Sequence, residues 1–322
     1  MATIPKDARV PPQRPTSDSE HKGFYTEFFG FRERPFTLLP DPALLLWSRQ
    51  YRQAFSVLEF GVVSCSPITL LTGDIGCGKT TLLRELLSGL NDSITVGLIS
   101  NAQGGRGALI QWVMNALGMN FDHNAGYVHL FQAMQDFMIA EYAAGRRTLL
   151  IFDEAQNLSR ESLEELRMLT NINVSKDEVV QLVLIGQPEL RGMIRQPGLE
   201  QLAQRIAVSF HLKPLDVETT CAFIIHRLRT VGGSGGEFTE EARNFVHHVT
   251  RGIPRLINQF CDIALLYAWT MESPQVSKVI LSNVLQDNIF FAAQIDAPNL
   301  EAATEDSYTL DTDQITRKET EA

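Results

Sequence analysis

The sequence predicts an α/β fold, a P-loop five-stranded parallel sheet sandwiched by helices and followed by a small all-helical unit. Three observations predict it. Five short apolar runs alternate with longer helical patterns between residues 67 and 212. A glycine-rich turn, GDIGCGKT at 73–80, stands directly after the first run. Beyond Pro214 the strand-like runs cease, and residues 216–292 read as helix after helix.

The five runs are PITLLT (67–72), ITVGLIS (94–100), RTLLIF (147–152), VVQLVLI (179–185) and IAVSFHL (206–212). Short, nearly continuous apolar runs suit strands buried on both faces of a parallel sheet. Helical patterns fill the gaps near 49–61, 79–90, 105–117, 127–144, 159–170 and 190–204. Such alternation implies right-handed βαβ crossovers with helices on both faces. In the second unit, Asp216 is a candidate N-cap for a helix ending at Gly232-Gly233, and Thr239 caps the next, ending near Gly252. The GGSGG stretch at 232–236 follows no strand and reads as a loop.

A chain of 322 residues has room for one α/β domain and a smaller partner. The expected division is a disordered tail at 1–23, a nucleotide-binding α/β domain at 24–214, a helical lid domain at 215–292 and an acidic disordered tail at 293–322. From Asp296 onward eight acidic residues face two basic ones, Arg317 and Lys318, which is the composition of a solvated tail. No apolar run approaches the roughly 18–20 residues needed to span a bilayer, and the polar, Pro-rich start has no secretory h-region. A cytoplasmic address is therefore expected. The formal net charge of −10 disfavours a chain built chiefly for nucleic acid, although a local basic patch is compatible with it. Cys65, Cys77, Cys221 and Cys261 form no C-x-x-C pair, which speaks against a disulfide framework and against a zinc site. The seven histidines show no metal-ligand spacing and are expected in ordinary core or surface roles.

The segment 73–80 matches G-x-x-x-x-G-K-[ST] between a strand and an amphipathic helix, the setting the motif requires. The backbone of Gly73, Asp74, Ile75, Gly76, Cys77 and Gly78 is expected to wrap phosphates at a helix N-terminus, with Thr81 in its first turn. Lys79 is the candidate contact to the β- and γ-phosphates of ATP, and Thr80 the candidate ligand to Mg²⁺. The run TLLIF ends in Asp153 and Glu154, two carboxylates at the C-terminal edge of a buried sheet. Asp153 fits the Mg²⁺ shell and Glu154 the general base that activates water. Gln156 and Asn157 either orient that water or cap the helix near Ser159. Gln187, after the fourth strand, is the candidate γ-phosphate sensor. Arg205, before the fifth strand, is a candidate to stabilise transition-state charge across a subunit interface, which implies a homo-oligomer. Arg255 in RGIPRLINQF sits in the first turn of a helix begun by Pro254, where an anionic partner explains a cation.

These motifs occur in the order of an AAA+ module with its helical lid. The stretch FYTEFFGFRERPFTLLPDPALLLWS (24–48) resembles the opening of the ExeA/GspA-type secretion ATPases; DEAQNLSRESLEELRMLTN, IGQPELR and GIPRLINQFCDIALLYA are similar to other parts of that family. The resemblance covers roughly residues 24–290. It implies cytoplasmic ATP hydrolysis by a ring or partial ring, Arg205 acting in trans and Arg255 as the second sensor. It also implies work on an envelope export complex for secretion, pili or polysaccharide. Longer family members carry a transmembrane segment and a peptidoglycan-binding module; the sequence resembles the shorter form without them, so membrane recruitment would run through a partner. Competing readings are a DNA-associated AAA+ regulator similar to the transposition ATPases, which share a DEAQ-like segment, and a nucleotide-dependent scaffold.

Overall fold

The computed structural model describes residues 25–39, 41–100, 102, 108–174 and 177–291. Both expected tails, 1–23 and 293–322, lie outside the described residues. The chain opens with a short helix, α1 (Tyr25–Phe29), an extended strap holding a 3-10 turn at Pro42–Leu44, and α2 (Arg49–Val63). Then follow β1 (Ile68–Gly73), α3 (Lys79–Ser88), β2 (Ile94–Ser100), α4 (Ala108–Ala116), α5 (Tyr127–Ala143) and β3 (Arg147–Asp153). After β3 come α6 (Arg160–Leu169), a minimal antiparallel pair β4 (Asn173–Val174) and β5 (Asp177–Glu178), and β6 (Val180–Gly186). Helices α7 (Pro188–Ile194) and α8 (Glu200–Gln204) lead to β7 (Ile206–Leu212). Four helices complete the described chain: α9 (Val217–Thr230), α10 (Glu240–Thr250), α11 (Pro254–Thr270) and α12 (Lys278–Gln286).

The five long strands form one parallel sheet in the order β2-β3-β6-β1-β7. Every residue of β1 and β6 is buried, as two covered faces demand. On β3, Leu149 and Ile151 enter the core beneath α2 and α3, while Leu150 and Phe152 enter the core beneath α4, α5 and α6. That alternation is the two-residue period of a strand dividing two apolar layers. The sheet order has one consequence for function. Because β6 is inserted between β1 and β3, the segments leaving the C-terminal ends of these three strands stand side by side.

Two expected features differ. The helical pattern expected as one element near 190–204 is two short helices, since Pro197 lacks the N–H and has the ring that break a helix interior. The β4-β5 pair was not expected, because Asn173, Asp177 and Glu178 carry no apolar alternation. The proposed caps Asp216 and Thr239 each accept a backbone N–H three residues on, and the helix near 159 is capped in the same way by Ser159 itself. The GGSGG stretch is a loop, as expected, closed by the Glu237 carboxylate, which accepts from Ser234 N at 2.6 Å and Gly235 N at 2.9 Å.

The opening strap, grouped with the sheet in the sequence, makes its tight contacts with the helical unit. Tyr25 and Arg34 both reach Asp262 on α11, Arg227 Nη1 donates to Pro35 O at 2.9 Å, and Asn258 Nδ2 donates to Thr37 O at 3.3 Å. Phe36 packs edge-on to Phe238 inside the helical core. The strap has few apolar positions in strand or helix register, so only long-range partners place it.

The turn between α10 and α11 meets the exit of the sheet. Leu215 N donates to Gly252 O at 2.8 Å, and Gly252 has φ +73° with the site of a Cβ only 1.9 Å from Leu215 O. A side chain there would strain the backbone and collide with the linking strand at once. Gly252→Ala is therefore expected to lower unfolding stability by about 2 kcal/mol or more, read as a reduced urea midpoint at unchanged m-value.

Candidate functional site

The first wall of the site is the loop between β1 and α3. It is shaped by Tyr51 of α2, whose buried hydroxyl donates to Cys77 O at 2.8 Å. Burial pushes the Tyr51 phenol up, well out of the physiological range, so it acts as a neutral donor. Gly76 has φ +79°, and a Cβ there would stand 2.8 Å from Cβ of Arg255. Arg255 N in turn donates to Gly76 O at 3.2 Å. The first turn of α11 is thereby pinned to the loop. Cys77 is buried and its thiol is raised to about 11, first by burial, so it is inert packing.

Lys79 opens α3 and is 6% exposed. Its Nζ donates to Gly73 O at 2.7 Å and to Asp74 O at 3.0 Å. An ammonium at such depth, held by carbonyls, is arranged for an anion to complete. Thr80 Oγ1 lies 3.5 Å from Asp153 Oδ2 across the gap between α3 and β3. Asp153 Oδ1 accepts Glu154 N at 3.0 Å. The Asp153 carboxyl is nevertheless held above the usual range, chiefly by burial and further by the Glu154 charge, against the pull of its hydrogen bonds and of Lys79. A hydroxyl and a desolvated carboxylate are hard oxygen donors, the set that Mg²⁺ takes when it keeps waters and phosphate oxygens for the rest of its shell.

Glu154 leaves the strand in the left-handed region, φ 56° and ψ 39°, uncommon for a residue with a side chain. Its Oε2 receives Gln156 Nε2 at 2.6 Å and Gln187 Nε2 at 3.3 Å. Between the two readings left open for Gln156, the structure shows neither a helix cap, which is Ser159, nor a place on the cleft wall; it contacts Glu154 and Gln187 instead.

Lys79, Thr80, Glu154, Gln187 and Arg255 share one cleft of about 310 Å³; Gly73, Asp74, Cys77 and Asp153 stand behind its wall. Ile75, Gly76, Gly78, Lys79, Thr80 and Thr81 line it from the loop side, Glu154 and Gln187 from the sheet, and Arg255 from α11. Arg205 is not in this set. Its guanidinium donates to Thr170 O at 2.7 Å, Thr170 Oγ1 at 3.0 Å and Asn171 Oδ1, at the end of α6. The far end of the cleft was not foreseen. It is made by Thr37, Leu38, Leu39, Asp41, Leu44 and Leu45 of the strap and by Phe223, Arg227 and Asn258 of the helical unit. Arg227 lies 5.0 Å over the Phe223 ring, and burial lowers its guanidinium to about 10. Arg227 Nε and Asn258 Oδ1 are buried without a hydrogen-bond partner, a donor and an acceptor left over beside the same cleft. No periodicity singles these residues out; the unusual mid-helix Arg227 on an apolar face was the available signal.

Among the described residues no group of histidine, cysteine, aspartate or glutamate is arranged to hold a metal without other donors, and all four cysteines are free. His211 and His247 pair with Thr72 and Thr220.

With this geometry in view, comparison with known proteins is informative. A family model described as AAA domain matches residues 65–194. General secretion pathway protein A of Aeromonas hydrophila is 39% identical over 252 residues, 78% of this chain and 46% of that protein. The chain thus aligns with about half the length of this relative. Among solved structures, a Walker-type ATPase of Pyrococcus abyssi superposes with TM-score 0.55 at 19% identity over 85% of this chain and 80% of that one. The Aeropyrum pernix ORC2 protein, solved as ADPNP-ADP complexes, gives 0.56 at 16% identity over 75% and 68%. At these identities the two structures speak for the fold alone.

Two measurements follow from the site. Tyr51→Phe removes a buried donor to the loop and is expected to weaken nucleotide binding by about threefold to tenfold, measured by titration with a fluorescent ATP analogue. Asp153 holds its proton more tightly folded than unfolded, so it subtracts stability as pH rises through the window above its unfolded value. Asp153→Asn is therefore expected to raise the melting temperature of the nucleotide-free chain at pH 8 relative to the parent, and to shrink that gain as the pH falls towards 4.

Proposed function

Since the chain belongs to the AAA-domain P-loop ATPases and is a homologue of general secretion pathway protein A, we propose that it binds ATP with Mg²⁺ and hydrolyses it to ADP and phosphate. The observation that carries this reading is the meeting of Lys79, the Thr80-Asp153 pair, Glu154 and Gln187 along one edge of the sheet, facing Arg255 of the lid.

In this reading the loop 73–78 and the N-terminus of α3 receive the phosphates, and Lys79 and Arg255 supply the positive charge facing them. Thr80 and Asp153 hold Mg²⁺, which when bound neutralises charge on the β- and γ-phosphate oxygens. Glu154 takes the proton of a water whose oxygen bonds to the γ-phosphorus as the bond from that phosphorus to the bridging oxygen breaks; ADP departs with the bridging oxygen. Gln187 faces the transferred group. The base and sugar occupy the end bounded by the strap, Phe223, Arg227 and Asn258, so the two halves of the protein close on one ligand.

Arg205 lies outside the cleft of its own chain, which supports a role in the cleft of a neighbouring copy and with it a homo-oligomer, a ring or partial ring. The work done by the cycle is the assembly or remodelling of a cell-envelope export complex at the cytoplasmic side, reached through a protein partner. Support for this is the likeness to general secretion pathway protein A. No helix among the described residues is long and apolar enough to cross a membrane.

Glu154→Gln is expected to retain ATP binding and lose turnover by about 10²- to 10⁴-fold; full turnover in that variant would sink the assignment. The parent is expected to show specific activity that rises with protein concentration, and Arg205→Ala to lose that rise. A parent whose specific activity is constant across dilution contradicts the shared site. The nucleotide-trapped Glu154→Gln chain is the bait for the envelope partner, compared with Lys79→Ala as the empty control.

A further inference from the structure

One side chain beside the cleft is bonded to two of the residues just assigned and touches none of the ligand space itself. Gln156 sits in the 3-10 turn Ala155–Asn157, directly after the acidic pair. Both ends of its amide are used. Nε2 donates to Glu154 Oε2 at 2.6 Å, and Oε1 accepts Gln187 N at 3.0 Å. Gln187 closes the circuit by donating its own Nε2 to the same Glu154 Oε2 at 3.3 Å. Glu154 and Gln187 line the cleft, and Gln156 stands behind them.

We propose that Gln156 is a positioning residue that holds the Glu154 carboxylate and the Gln187 amide as one hydrogen-bonded unit, so that base and γ-phosphate-facing group are aimed together. The inference rests on the reading of Glu154 as the base.

Three features carry it. Glu154 is only partly buried and stands on a backbone in an unfavoured conformation, so the rotamer of its carboxylate needs side-chain partners to fix it. Two amide donors on a single oxygen choose it, and leave Oε1 as the oxygen not committed to them. A base is effective only when its acceptor oxygen sits within hydrogen-bond reach of the attacking water, and small misplacements cost large factors in rate. Second, the acceptor end of Gln156 anchors Gln187 at its backbone N–H rather than its side chain. The Gln187 amide is therefore free to exchange Glu154 for a phosphate oxygen while its main chain stays in register with β6. Third, the residue type is constrained. Asn is a methylene too short to bridge both partners, Glu cannot donate and places a second negative charge 2.6 Å from the first, and Ala leaves Gln187 N–H and the carboxylate without this partner.

The unit also states how occupancy is felt. While Gln187 Nε2 rests on Glu154, the carboxylate carries two donors; when Gln187 turns to the γ-phosphate, the Gln156 donor remains. Gln156 keeps the carboxylate in place during that exchange.

The test uses the full chain and four variants: Gln156→Ala, Gln156→Glu, Glu154→Gln and Glu154→Gln with Gln156→Ala. Steady-state ATP turnover gives kcat and KM, and a fluorescent ATP analogue gives binding. The expected result is a fall in kcat of about ten- to a hundredfold in both Gln156 variants, with KM and analogue affinity within about twofold of the parent. In the Glu154→Gln background, where no base remains to be aimed, the Gln156 change is expected to cost no further turnover. Gln156→Glu keeps the size and the acceptor of the native side chain, so it reports even where Gln156→Ala folds poorly. An unchanged kcat in both variants, or an equal further loss in the Glu154→Gln background, overturns the proposal while leaving Glu154 as base. Absence of turnover in the parent, or full turnover in Glu154→Gln, overturns the reading of the site and this proposal with it.

Discussion

All five long strands run parallel, and parallel pairing with two covered faces leaves one edge of the sheet where chain ends, dipoles and polar side chains can collect. Everything chemical in this protein depends on the order in which those strands are paired. With β6 between β1 and β3, the glycine loop, the amide of Gln187 and the carboxylates of Asp153 and Glu154 emerge from three adjacent strands. In this order Gln187 on β6 stands one strand spacing, about 4.8 Å, from the glycine loop on one side and from the acidic pair on the other. The buried β1 and β6 lend rigidity to that placement, since neither can shift register without exposing an apolar face.

The helical unit is tied to this edge at two points of different character. One is the backbone bond from Arg255 N to Gly76 O, beside a glycine with no room for a side chain. The other is the strap, whose carbonyls at Pro35 and Thr37 are gripped by Arg227 and Asn258. Burying the Arg227 guanidinium is expensive, and the Phe223 face and the Pro35 carbonyl offset that cost only in part, because Nε remains unpaired. A ligand lying between strap, loop and α11 touches both halves at once. Its binding energy is thus coupled to their relative position.

Electrostatically the site is unfinished by itself. Lys79 is satisfied by backbone carbonyls, while Asp153 is desolvated enough to resist ionisation. In the proposed reading an anion would add to the contacts of Lys79 and a divalent cation would favour the ionised Asp153, and the two would reinforce one another in a low-dielectric setting.

Local chemistry made much of this protein legible from its residues alone. The strands at 94–100 and 206–212 match the expected bounds, because each carries its own apolar signal and turn punctuation. Gly73 to Thr80, Asp153, Glu154, Gln187 and Arg255 were likewise visible, since each stands at a strand end or a helix start where spacing confers meaning. The break of 190–204 at Pro197 and the short β4-β5 pair are local features that apolar periodicity does not register; the attachment of the strap to the helical unit was not visible, for it turns on contacts between residues far apart in sequence. The same holds for Gln156, which by composition was equally a cap or a water ligand; only the fold brought Gln187, thirty-one residues on, against its amide. By itself the sequence determined the five long strands and the glycine- and carboxylate-bearing segments that follow them, since those depend on neighbours in the chain. Tertiary structure alone decided which side chains aim them, because hydrogen bonds across a sheet edge are set by strand order, and strand order is written in no local pattern.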